Sequence, residues 1–426
     1  MFYFTQGFPI GLFFYAIPAW MAEGGATTGQ VASVVGTAGL AWSVKLANGF
    51  VIDRYTFLPM GRRRVWIIGA QALFVAVLIA GALLAPAHND VFLLSAVAFA
   101  ANMAITVQDV GIDSLAVDIM AEDERAKAAG IMFGAQLLGI SAATALGGAV
   151  VAAYGITVCL LVCAAVPALV ALYGVLIRER EGERRLPWTA GQAHPANVNV
   201  QIEAWWPLLV NAFKAIVLPL SILLIPVLLV RSLPSGGFES FHPVLFTQTG
   251  GWTLTEYTSF NSTLVLVVGM IGLVVGGWLV DAVGAQRSML VSVLLGVALL
   301  AAMGAVPQLW SENWVLVGIS AGMELLGLFY AIAMIPICMR MCSPAVAATQ
   351  FTVYMAVGNF GRPLGAWLAA QTAGAGNPQW LYWSLALAWG MVALILLRIK
   401  LPTENRVAAE VAHHLPQGTG LQPIEN

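Results

Sequence analysis

GFVIDRYTFLPMGRRR, residues Gly49 to Arg64, closes one apolar stretch and opens the next. It carries one acid, Asp53, and four arginines, Arg54, Arg62, Arg63 and Arg64. The rest of the chain has few charges. Of its 426 residues 60% are hydrophobic and 9% charged, against about a quarter charged in soluble proteins. A second stretch, GGWLVDAVGAQR (Gly276 to Arg287), repeats the plan: a glycine, three residues, Asp281, a turn glycine, then Arg287. The same charged turn, set twice between apolar runs, predicts a doubled membrane protein.

Working outward, a spanning helix needs about 20 apolar residues, and twelve segments qualify. The first half supplies 2–22, 29–52, 65–86, 91–120, 127–153 and 155–177. The second supplies 212–247, 254–281, 287–308, 313–341, 345–372 and 378–398. The expected fold is an all-α membrane protein of twelve transmembrane helices in two pseudo-symmetric six-helix bundles. Residues 1–177 form the first bundle, 178–208 a polar linker, 209–400 the second bundle, and 401–426 a tail. Two further matches support the repeat: AAGIMFGAQLLG (128–139) with AATQFTVYMAVG (347–358), and GLFFYAIPAW (11–20) with GGFESFHPVLF (236–246). The seventh span has a longer lead before its glycine pair than the first has before Gly11, so a short upstream piece is expected to precede Met1. The N-terminal run has no basic leader and reads as a first span, not a signal peptide.

Basic residues set the orientation. Arg54 to Arg64, Arg125, Lys127, Arg178 to Arg185, Arg287, Arg340, Arg398 and Lys400 all follow even-numbered spans. The alternate loops hold Glu23, Asp90 and Glu312 and neither lysine nor arginine. Both termini and the linker are therefore expected in the cytoplasm, and Trp205 and Trp206 at the membrane interface.

Charges inside the spans are costly and mark function or pairing. ITVQDVGIDSLAVDIM (105–120) holds Asp109, Asp113 and Asp118. Asp109 and Asp113 are four residues apart and share a helix face; Asp118 falls nearer the loop. Lys45 lies eight residues before Asp53, at a depth of about 12 Å, level with Asp109 and Asp113. These three are the candidates for proton coupling; a purely structural ion pair is the alternative. In the second half, RSLPSGGFESFHP brings Arg231, Glu239 and His242 around Pro234, Gly236 and Gly237, which are expected to interrupt the helix. Glu239 and His242 could exchange a proton with bound substrate. Arg362 would hold an acidic group or pair with Glu324. With Gln6, Tyr15 and Gln136, these five charged or titratable residues make the candidate substrate site. Gly49, Asp53, Arg54, Arg62, Arg63, Arg64, Asp118, Asp281 and Arg287 make the candidate cytoplasmic gate. There Gly49 would let two helices approach, and the charges would latch the halves together.

The Gly-x-x-x-Asp-Arg…Gly-Arg-Arg-Arg loop resembles motif A of the major facilitator superfamily. QGFPIGL, PAW, WSVKL, DRYTFLPMGRRRVW, QDVGIDSLAVD and EDERAKAAG are similar in order to the AmpG-type muropeptide permeases, a branch that also holds acetyl-CoA transporters and some siderophore permeases. The chain departs from the muropeptide pattern at Ser114 and Leu115, where a Trp-Lys pair is expected. The resemblance implies proton-coupled import of an anionic solute, an anhydromuropeptide first, across a bacterial inner membrane. A siderophore or an acyl-CoA-like solute is the alternative, and a non-transporting membrane sensor the alternative of another class.

Other chemistry has little support. Cys159, Cys163, Cys338 and Cys342 sit on apolar segments and read as packing residues; no metal or cofactor spacing occurs. No nucleophile and base are paired, so an enzyme is not expected; His413 and His414 fall in the tail. The net charge of -2 gives no footing to nucleic acid. The expected partners are a small solute, protons and the bilayer, with the protein a monomer.

Overall fold

A computed structural model describes residues 1–198, 206–207, 210, 219–342, 347–399 and 401. Trp205, the joining-segment residues 199–204, 208–209 and 211–218, and the tail with His413 and His414 lie outside these residues. The described residues contain twelve long helices. In the first half, α1 runs Phe2–Gly11, through a π turn at Leu12–Ala16, to Ile17–Glu23. α2 comprises Thr28–Ser43 and, after a 47° bend, the part ending at Arg54. α3 is Arg64–Leu84 and α4 Val91–Ile119. Glu122–Leu176 breaks at Gly155, whose φ of 79° no helix admits, into α5 and α6. In the second half, α7 comprises Pro219–Leu229, Leu233–Val244 and a π turn, Leu245–Thr249. α8 runs from Leu254–Ile271 to Gly277–Val283. Ala285–Ala305, Asn313–Met341, Ala347–Gln371 and Gln379–Arg398 are α9 to α12.

The repeat extends to local chemistry. α2 and α8 begin with the same capping box: Thr27 with Gln30, and Thr253 with Glu256. Each pair satisfies two backbone amides that the first turn leaves unbonded. Before α3 and α9 the chain turns on Gly61 (φ 100°) and Gly284 (φ 91°), a region that disfavours any side chain. The internal contacts of the halves match too. On α5, a Cβ at Gly139 would lie 1.9 Å from the Phe4 carbonyl oxygen of α1. On α7, a Cβ at Gly236 would lie 1.9 Å from the Arg362 carbonyl oxygen of α11. Glycine there brings helices together without an intervening side chain.

The expected interruption at Pro234, Gly236 and Gly237 is corrected. The chain leaves the helix at 230–232 and re-enters it at Leu233, with Pro234 in the first turn and both glycines inside. Proline is tolerated there because the first-turn N–H groups have no helical partner. The glycines serve close packing instead.

The beginning of the linker is folded against the first half. Glu179 accepts hydrogen bonds from the backbone N–H groups of Arg62 (3.0 Å), Arg63 (2.9 Å) and Arg64 (2.9 Å), where α3 begins. A carboxylate suits this position because the helix start presents free N–H groups and a positive dipole end. The Arg64 guanidinium donates to the carbonyls of Val175 (2.9 Å), Arg184 (3.0 Å) and Arg185 (2.8 Å). Glu179→Ala strips this helix start of its acceptor. It is expected to cost about 1–2 kcal/mol, read as a lower thermal unfolding midpoint of the detergent-solubilised protein, with Glu179→Gln intermediate.

Candidate functional site

Between the halves lies a cavity of about 510 Å³. Its first-half wall includes Tyr15, Trp42, Lys45, Asp109, Asp113 and Gln136; its second-half wall includes Arg231, Glu324, Asn359 and Arg362. A narrower extension of about 50 Å³ continues past Tyr15 and Glu324 to Glu239 and His242.

Lys45 lies at the bend of α2 and points to α4. Its ammonium forms an ion pair with Asp109 and lies 3.6 Å from Asp113. The side chain of Asp109 is 6% exposed, Lys45 26% and Asp113 47%. The cluster therefore grades from a sealed acid to one open to the cavity. The Tyr3 hydroxyl donates to Asp113, a contact that sequence reasoning missed because nothing in the spacing joins the first turn of α1 to α4. One cation serves two carboxylates. The group carries one net negative charge when both acids are ionised and none when one takes a proton.

Arg231 stands where the first part of α7 ends. Its nearest described polar partner is a side-chain amide oxygen, that of Asn359, at 3.5 Å. No carboxylate lies within ion-pair range of it among the described residues. Arg362 comes from α11. Its Nε is 3.5 Å from Glu239 Oε2, and its guanidinium carbon is 4.2 Å from the centre of the Phe14 ring. The expected partner was Glu324; the acid in ion-pair range is Glu239. The close α7–α11 crossing at Gly236 puts Glu239, one turn along, beside Arg362. Glu324 faces the cavity from α10 with no ion pair among the described residues.

His242 is held behind the cavity. Its Nδ1 lies 3.2 Å from Ser320 Oγ, its Nε2 3.2 Å from the Tyr382 hydroxyl, and its ring stacks on Phe238. Gln6 is fully buried and accepts from Gln136 Nε2 at 3.1 Å, so it stands one layer behind the wall. Trp42 is fixed by donation to Asn102 (2.9 Å), and Asn359 reaches across the halves to the Trp42 carbonyl (3.3 Å).

At the arginine loop, Arg63 pairs with Asp53 and, at 3.1 Å, with Asp118, while Arg62 is 4.0 Å from Asp53. This cluster joins α2, α3 and α4 within one half, where a latch between halves was expected. Arg64 serves the linker, Arg54 is exposed, and Asp281 and Arg287 are exposed without an ion pair among the described residues. A Cβ at Gly49 would meet Val110 at 4.0 Å, ordinary contact distance, so no close helix approach depends on that glycine. The bonds that cross between halves lie at mid-depth or at the opposite end. Ser141 and Ser262 are 2.8 Å apart; Gln248 donates to the carbonyls of Ala22 (2.9 Å) and Ala26 (3.1 Å); Glu23 accepts from the Leu254 amide (3.2 Å). Among the described residues these bonds tie the halves together at the end away from the arginine loop.

The crystal structure of the nucleoside transporter NupG matches with a TM-score of 0.68 at 15% sequence identity, over 94% of this chain and 98% of that one. A NupG mutant matches with a TM-score of 0.66 at 14% identity, over 93% and 98%. Identities this low speak to the fold alone. No curated protein matches the sequence. The family model of the Major Facilitator Superfamily matches residues 1–366. With twelve helices in two halves around a charged central cavity, this chain belongs to that superfamily and is a membrane transporter of small solutes, not an enzyme.

Proposed function

We propose that the protein imports an anionic solute across a bacterial inner membrane, driven by protons, with its arginine loops and both termini in the cytoplasm. The observation that carries this reading is Arg231. A guanidinium stays charged under all physiological conditions and suits carboxylate or phosphate. Arg231 lines the cavity with no carboxylate in ion-pair range among the described residues. An unbalanced charge in a membrane interior costs at least about 2.5–3.5 kcal/mol, and a bound anion offsets that cost. A neutral nucleoside, the solute for which the transporter NupG is named, would leave Arg231 without an anion among the described residues.

Lys45, Asp109 and Asp113 supply the coupling. Protonation makes the cluster neutral, and a neutral cluster can be enclosed when the cavity shuts from water. Deprotonation restores a net charge that favours an open cavity. Asp113, the more exposed acid, exchanges the proton; Asp109 holds Lys45. An anhydromuropeptide is the first solute to try, on the motif resemblance, with Trp42 offering an apolar face to a sugar ring. The test is uptake of labelled anhydromuropeptide into vesicles under an imposed pH gradient. Asp109→Asn and Asp113→Asn are each expected to lower gradient-driven uptake about a hundredfold or more, the range for loss of a positioned proton-transfer group. Full gradient dependence in both variants would sink the coupling assignment. No flux of any anionic solute through the wild type would favour a sensor.

A further inference from the structure

Arg362 belongs to two places at once. Its side chain lines the central cavity, and its Nε is 3.5 Å from Glu239 in the narrow extension. Glu239 is 5% exposed, and its Oε2 has no hydrogen-bond partner among the described residues. Arg362 is the cation in ion-pair range of it among the described residues. The other titratable neighbours are Tyr15 of α1, Tyr257 of α8 and Glu324 of α10, which line the extension with it. His242, one turn along α7, is engaged by Ser320 and by Tyr382 of α12. α2 also packs on α7, and its Lys45 is engaged by Asp109. None of these can replace Arg362 as a permanent positive charge.

An anion arriving in the cavity competes with Glu239 for that guanidinium. A carboxylate left alone in a membrane interior is neutralised by a proton. We propose that Glu239 is a second proton-carrying acid, released for protonation when an anionic solute draws Arg362 away from it. The negative charge brought by the solute is then matched by a proton on Glu239, so the occupied cavity gains no net charge in the second half. The first-half cluster at Lys45 works separately. This inference rests on reading the cavity as an anion site.

The experiment has two arms. In the first, infrared spectra of the purified full chain without solute report protonated carboxyl groups at neutral pH. Arg362→Gln is expected to add one protonated-carboxyl band, absent in Arg362→Gln/Glu239→Gln and retained in Arg362→Gln/Glu324→Gln. No added band, or one that survives loss of Glu239, overturns the proposal. In the second arm, vesicles carrying labelled anhydromuramyl tripeptide give the proton-to-solute ratio, expected to fall by one proton in the uptake that Glu239→Gln retains. An unchanged ratio overturns the second-acid role. If the wild type does not carry this probe, the solute assignment fails, while the infrared arm still decides whether Arg362 controls Glu239.

Discussion

Lys45→Met is expected to abolish gradient-driven uptake and to destabilise the protein by about 3–5 kcal/mol, the usual result of removing one member of a buried ion pair. The substitution keeps most of the side-chain volume and removes the charge. It leaves Asp109, nearly sealed, one turn from Asp113 on the same face of α4 with no cation between them. With no cation between them the two carboxylates repel each other whenever both are ionised, so the cluster no longer cycles between a paired and a neutral state. Lys45→Met/Asp109→Asn removes the stranded acid as well. That pair is expected to recover most of the lost thermal stability without recovering coupling. Stability and transport are thereby separated: the first answers to charge balance, the second to a proton that can leave. Equal gradient-driven uptake by Lys45→Met and the wild type would remove Lys45 from the mechanism.

The second large effect is structural. Gly236→Val is expected to prevent accumulation of folded protein, because its Cβ would lie 1.9 Å from the Arg362 carbonyl oxygen. That contact is with backbone, and backbone cannot rotate aside as a side chain can. α7 and α11 would have to separate, at a cost above the roughly 1–3 kcal/mol of ordinary overpacking. The separation would also pull Arg362 from Glu239. Gly318→Ala in α10 is the control, because a Cβ there meets nothing within 4 Å. It is expected to leave the unfolding midpoint unchanged or raise it, since alanine favours a helix by roughly 1 kcal/mol over glycine. Size-exclusion profiles and thermal unfolding in detergent decide both; a monodisperse Gly236→Val with a normal midpoint would refute the packing argument.

Much of this architecture is legible in residue order. Apolar run length marks the spans because no backbone polar group can stay unbonded in lipid. The twin turns at Gly61 and Gly284 announce the repeat because each is a local device, complete within a few residues. The Lys45–Asp109–Asp113 cluster was also within reach, since depth along a helix follows from counting residues and only pairs at equal depth can meet. The position of the break in α7 was not. Proline and glycine both read as interruptions, yet here one starts a helix turn and the other admits a neighbour.

Tertiary structure alone decided who faces whom. Arg362 has Glu239 beside it, not Glu324, because Gly236 lets α11 cross α7 at contact distance. Asp113 gains Tyr3, Gln6 retreats behind Gln136, and His242 is locked between Ser320 and Tyr382. The arginine loop ties three helices of one half, while Glu23, Ser141, Gln248 and Ser262 join the two halves. Sequence by itself determined the apolar runs and the repeat, because lipid imposes run length on a chain one helix at a time. The pairing of charges around the cavity was left to the crossing of helices, because a contact between two spans depends on their packed faces and not on either sequence alone.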